Sequence, residues 1–143
     1  MNSPRVIPFE PAHLADLEPP VFDYAQMRRF AAAYRPTGPA FTLIQSGQAL
    51  GCAGLMIEGE EGRAWAFLSD ALRCRPLLLH RTVKRALPAL ANHYELKGMT
   101  AEAHADFTAA RRWLERLGFH YEETIPRFAG TTEDYVRYRL WVH

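Results

Sequence analysis

The chain has 143 residues, a length that suits one domain and is long enough to bury a sizeable core. Its 48% hydrophobic and 23% charged residues place it among ordinary globular proteins, and a net charge of +1 gives bulk charge no role in binding nucleic acid or forming an acidic tail. No apolar run reaches the roughly 18 residues that span a bilayer, and the opening MNSPRVIPFEP lacks an apolar signal core, so a cytoplasmic protein is expected. Cys52 and Cys74 lie far apart, with no Cys-x-x-Cys or paired-His spacing, and read as reduced, buried thiols, with no metal site expected.

In chain order, Val6-Ile7-Pro8 predicts a short first strand. Pro11-Ala-His-Leu-Ala-Asp-Leu predicts a short helix, broken by Glu18-Pro-Pro. Asp23 can cap a second helix, YAQMRRFAAAY, ended by Pro36 and Gly38. From Ala40 the period changes: residues 41–45, a Ser46-Gly47 turn, 49–57, a turn over 59–62 and 63–69 read as a three-strand meander. A long helix begins at Pro76, with Leu79, Val83, Leu87, Leu90 and Tyr94 as its buried stripe and Gly98 as its stop. Pro88, inside it, predicts a kink or split near 84–88. Then come a strand over 99–104, a helix over 108–117 ending at Gly118, a strand around Tyr121, and a last strand from Tyr135 that pairs with it. This order predicts a single α/β domain with a mixed sheet and helices on both faces.

The strand ending in Phe67-Leu68-Ser69-Asp70, the basic helix RPLLLHRTVKRAL after it, and the helix Arg111-Arg-Trp-Leu-Glu-Arg-Leu-Gly-Phe119 resemble, in order and spacing, the core of the GNAT acetyltransferase superfamily. With the opening Val6-Ile7-Pro8-Phe9 and Pro11-Ala-His-Leu, the chain is most similar to the small GNAT-like proteins of tailed bacteriophages. The resemblance implies a GNAT-type, mostly antiparallel sheet over residues 1–143 and acetyl-CoA as a possible cofactor. The positions it marks for cofactor binding are Leu68, Ser69, Arg73, Arg75, His80 and Arg81.

Two features of the family pattern are missing. In a Gln/Arg-x-x-Gly-x-Gly/Ala turn, glycines let backbone amides approach a pyrophosphate. Here Arg75 matches its first position, but the glycine positions fall on Leu78 and His80, and no glycine occurs between Gly62 and Gly98. The tyrosine that often protonates the leaving thiolate, five residues before the Phe of Leu-Gly-Phe, is Leu114. Phe107, with Asp106 beside it, stands where the family often has asparagine.

The remaining candidates for proton chemistry are Asp70, as a base or as the cap of the turn after it; His104 with Glu102, sharing one strand face; and Tyr121, as a substitute acid or an ordinary strand tyrosine. Arg73, Arg75, His80, Arg81, Lys84 and Arg85 concentrate positive charge at a helix start, fit for a CoA phosphate, an acidic protein partner or a solvated face. Nucleic acid is not expected there, because aromatic residues are not interleaved with the cluster. Trp65, Trp113 and Trp141 read as core or sheet-face residues, and Tyr135, Arg137 and Arg139 as one face of the last strand, an outward patch or a half-exposed sheet face. Two readings follow. One is a phage-type accessory or virion-associated protein that acts through contacts with a phage or host protein; the other is an acetyl-CoA-dependent N-acetyltransferase acting on a primary amine.

Overall fold

The computed structural model describes residues 3–17, 24–69, 72, 76–127 and 133–142. Its strands are β1 (Arg5–Pro8), β2 (Ala40–Gln45), β3 (Gln48–Glu58), β4 (Glu61–Leu68), β5 (Gly98–His104), β6 (His120–Ile125) and β7 (Tyr135–Trp141). Its helices are a 3-10 turn (Pro11–Asp16), α1 (Tyr24–Ala33), α2 (Pro76–His93) and α3 (Thr108–Arg116). The seven strands form one sheet in the order β1-β2-β3-β4-β5-β7-β6. Pairing is antiparallel for β1/β2, β2/β3, β5/β7 and β6/β7, and parallel for β4/β5, which α2 connects. This is the α/β, mostly antiparallel fold expected from the sequence.

The chain gathers into two compact units, Met1–Met56 with Trp65–Leu79, and Ile57–Ala64 with His80–His143. In the first, Ser46 and Gly47 both take positive φ, 54° and 76°, between the paired Gln45 and Gln48. That geometry makes a two-residue hairpin matching the twist of its strands. The core of this unit is Phe9, Leu14, Leu17, Met27, Ala49 and Cys52, with Phe30, Tyr34, Trp65 and Phe67 packed against it. The rings meet edge-on or tilted: Phe9 lies 4.9 Å from Trp65 and 5.0 Å from Tyr34, and Phe30 4.4 Å from Trp65.

In the second unit the period-2 pattern of β5 buries Met99, Ala101 and Ala103. Val136 and Tyr138 of β7, Leu114 and Leu117 of the α3 region, and Phe119 are buried as well.

The structure corrects several local expectations. The first helical segment is a 3-10 turn, and α1 stops at Ala33, before Pro36. Asp23 lies outside the described residues. Helix α2 runs unbroken through Pro88. Pro88 and Lys84, whose carbonyl loses its donor, are both exposed, so water can satisfy it. The helix ends at His93 rather than at Gly98: Glu95 takes φ 54°, and the Leu96 N–H bonds to the Ala91 carbonyl at 2.9 Å. Burial of Leu96 completes that closure, while Tyr94, expected in the stripe, is exposed and Ala91 is buried instead. Trp141 is 59% exposed, with the Arg139 guanidinium 5.0 Å from its ring centre.

Candidate functional site

At the end of β4, Ser69 is fully buried; its N–H bonds to the Leu50 carbonyl at 2.8 Å, and its Oγ has no partner among the described residues. Leu68 and the buried Leu72 fill the space beside Gly51, where a β-carbon would lie 3.0 and 2.8 Å from their methyl groups. Gly51 therefore lets two leucines pack closely against β3. Asp70, Arg73, Arg75 and Cys74 lie outside the described residues, as does the Leu78 side chain.

On α2, His80 is half-buried and Arg81, Lys84 and Arg85 are exposed. The helix PLLLHRTVKRALPALANH holds no acidic residue. No ion pair engages these three cations among the described residues. They can meet a phosphate with charge-assisted hydrogen bonds.

The second unit brings the proton-chemistry candidates into a network of fixed partners. The parallel ladder of β4 with β5 covers Glu61–Ala64 against Gly98–Ala101 and stops there, while β5 continues to His104 paired with β7. His104 Nδ1 accepts the Asp106 N–H at 3.0 Å, and its Nε2 meets the Glu133 carboxylate. Both ring nitrogens are engaged, and the ring sits edge-on to Tyr135 at 5.3 Å. Tyr121 is exposed on β6, its hydroxyl 2.9 Å from Thr124 Oγ1. Leu114 is a buried core residue of α3.

The buried Tyr138 carries a hydroxyl that accepts from Arg111 Nε at 3.2 Å and donates to Glu115 at 3.3 Å, while Arg111 also donates to the Ala105 carbonyl. The hydrogen bond with Tyr138 holds the Arg111 guanidinium above its usual pKa, so it stays charged.

Glu102 shares the β5 face of His104, as the alternation predicts, but its side chain is only 7% exposed. One oxygen accepts from Arg137 at 3.2 Å and the other from Arg63 at 3.3 Å. Arg137 goes on to Glu123 at 2.7 Å, completing a row across β4, β5, β7 and β6. A second row runs from Glu61 through Arg139 to Glu122, each contact 2.6 Å. These hydrogen bonds, first that to Glu122, raise the Arg139 pKa further. Gly98 leaves room for this row: a β-carbon there would sit 2.8 Å from Glu61 Oε2. Arg137 and Arg139, offered by the sequence as an outward patch, thus spend their charge on these glutamates.

Sequence reasoning missed one polar chain in the first unit. His13 Nδ1 accepts the Glu10 N–H at 3.1 Å and lies 2.8 Å from Thr42 Oγ1, which lies 3.5 Å from Cys52 Sγ. Burial pushes the Cys52 thiol up to about 11, so it is neither a ready nucleophile nor a ready metal ligand. The only sequence signal was a histidine three residues after Glu10 at a helix start. Among the described residues, no cluster of three or more His, Cys, Asp or Glu could hold a metal ion, and no helix is long and apolar enough to cross a membrane.

Known proteins resemble this architecture in fold. No protein-family model matches the chain, and no curated protein matches it. Among solved structures, it is similar to the ribosomal-protein-S18-alanine N-acetyltransferase from Escherichia coli, with 18% identity, 98% of this chain and 94% of that one covered, and a TM-score of 0.74. It is also similar to an acetyltransferase of the GNAT family from Streptococcus pneumoniae, at 12% identity, 99% and 100% coverage and a TM-score of 0.68. A spermidine N-acetyltransferase variant from Vibrio cholerae aligns at 12% identity, 96% and 93% coverage and a TM-score of 0.67. At such identities the shared property is the fold, and that fold is the GNAT acetyltransferase fold.

Proposed function

We propose that this GNAT-fold protein works mainly through contacts with a protein partner, as a phage-type accessory or virion-associated protein, with little or no acetyl transfer. The observation that carries the reading is how its candidate proton carriers are engaged. The helix position for a thiolate acid is a core leucine, Leu114. His104 has both nitrogens occupied, and the Tyr121 hydroxyl meets Thr124. An acyl transfer needs a route for the amine proton and another for the thiolate proton; Leu114 carries none, and His104 and Tyr121 would have to exchange a present hydrogen bond to serve. The phage setting, with host cytoplasm or virion as its location and a phage or host protein as its partner, rests on sequence resemblance alone.

A second reading, an acetyl-CoA-dependent N-acetyltransferase for a primary amine, draws support from two observations. The β4/β5 ladder stops after four residue pairs, and Arg81, Lys84 and Arg85 carry charge with no carboxylate partner among the described residues. In that case Arg73, Arg75 and Arg81, with His80, Lys84 and Arg85 of the same cluster, would hold the phosphates of the cofactor in place of glycine amides, and Asp70 would be the base to test. The cofactor would supply the activated acetyl thioester.

Calorimetric titration with acetyl-CoA separates the readings, with Arg75→Ala and Arg81→Ala as controls. Absence of heat at millimolar acetyl-CoA, from protein shown to be folded, is the expected result. Micromolar binding that the arginine variants lose would overturn the contact reading and call for an acceptor screen.

A further inference from the structure

Two histidines, one in each unit, are held alike. In the 3-10 turn, His13 accepts the Glu10 N–H at Nδ1, while its Nε2 lies 3.8 Å from Glu10 Oε2. At the end of β5, His104 accepts the Asp106 N–H at Nδ1, while its Nε2 meets the Glu133 carboxylate. A backbone amide can only donate, so Nδ1 is bare in both rings and the neutral ring carries its proton on Nε2. Both side chains are largely covered, 16% exposed for His13 and 13% for His104.

We infer that His13 and His104 are acid-released latches, each closing a junction between a strand and a helical turn and opening it when the ring gains its second proton. Protonated Nδ1 sets an N–H against the N–H it had accepted, so the ring cannot keep both its charge and its present contact.

The groups facing each ring divide on this point. At His13, the Glu10 carboxylate favours the charged ring and the Glu10 N–H requires a bare Nδ1, whereas the Thr42 hydroxyl can donate to Nδ1 or accept from it. Phe9 packs edge-on at 6.2 Å, and the Cys52 thiol, with Asp16 acting on it, stands behind Thr42. At His104, Glu133 favours the charged ring and the Asp106 N–H opposes it, with the Tyr135 ring alongside. Asp134 is occupied by the Arg127 N–H, and Arg111 by the Ala105 carbonyl and Tyr138.

Phe107, the cap position of α3, makes no side-chain cap hydrogen bond. Thr42 is fully buried, and its other polar neighbour is a sulfur, a weak acceptor. The inference is independent of whether the protein transfers acetyl groups.

The test is an NMR titration of the whole chain between about pH 7.5 and about pH 5, the span in which histidine changes charge. Imidazole nitrogens and backbone amides are followed together, with exchange rates corrected for their intrinsic pH dependence. Both rings are expected to be Nε2–H tautomers at the upper end. As each ring charges, protection of its partner amide, Glu10 or Asp106, is expected to fall about tenfold, the worth of one hydrogen bond. In His104→Asn, whose side-chain oxygen can accept the same N–H at every pH, the fall at Asp106 should vanish while that at Glu10 persists; His13→Asn should do the reverse. A ring that charges without loss of amide protection, a ring that stays neutral to the lower end, or an Nδ1–H tautomer overturns the inference. The wild-type titration decides alone if either variant fails to fold.

Discussion

The first unit lines its core with rings, whereas the second covers the β5 face that carries Glu102 with ion pairs. Phe9, Phe30, Tyr34, Trp65 and Phe67 meet at centroid distances of 4.4–6.2 Å around a core that also holds Cys52. Across β4, β5, β7 and β6, by contrast, Arg63, Glu102, Arg137 and Glu123 alternate in sign, as do Glu61, Arg139 and Glu122 in the neighbouring row. Ring packing is indifferent to salt and roughly proportional to the area buried. Ion pairs at a partly wet surface are screened and individually weak, and gain mainly by being networked. The same chain therefore holds one unit that resists ionic strength and one that feels it.

Cutting the ring cluster tests this contrast most severely. Phe9→Ala is expected to cost about 3–5 kcal/mol, the same at low and high salt, in urea unfolding followed by fluorescence. A cost that falls steeply with salt would break the comparison.

Next in size is an alkaline effect confined to the first unit. The Cys52 pKa rises on folding from its ordinary 9.0 to about 11. Below about 9 both states keep the proton; above it the unfolded chain releases its proton first. Stability should therefore fall as pH rises through that window, by roughly 2–3 kcal/mol. Unfolding of wild type against Cys52→Ala across the window isolates this loss from other titrations, and parallel curves would refute it.

In the second unit, Glu102→Ala should cost about 1–2 kcal/mol at low salt, because it removes the carboxylate that Arg63 and Arg137 share, and clearly less at high salt. A salt-independent cost would mean that packing, not charge, holds this face. The smallest effect belongs to the exposed pair of Lys97 with Glu60, 2.9 Å apart. Lys97→Ala should change stability by less than about 0.5 kcal/mol, which calibrates what a surface pair without a network contributes.

The element order was legible because each strand and helix announces its own period, and turn residues mark the joints. Ser46-Gly47 could be read as a hairpin turn from two residues, since few others tolerate positive φ in succession. Less legible were helix ends and the site. The stop of α2 depends on Glu95 turning left-handed so that Leu96 can be buried, a tertiary gain that outweighs the usual preference for glycine. The candidate site was legible as positions, not as states. Glu102 and His104 share a strand face as alternation requires, yet their partners come from β4, β7 and the segment before β7.

By itself, then, the sequence determined the α/β order of elements, a long basic helix without acids, and the absence of glycine and tyrosine where the GNAT pattern uses them. Those are properties of residue type and spacing, which no folding alters. Only the tertiary structure decided which charges are spent and which remain. Arg137 and Arg139 are consumed by glutamates that the sheet register brings alongside, whereas Arg81, Lys84 and Arg85 meet no described carboxylate. It likewise decided that two histidines far apart in sequence take up the same bond, because hydrogen bonding is settled by which amide lies within about 3 Å of a ring nitrogen.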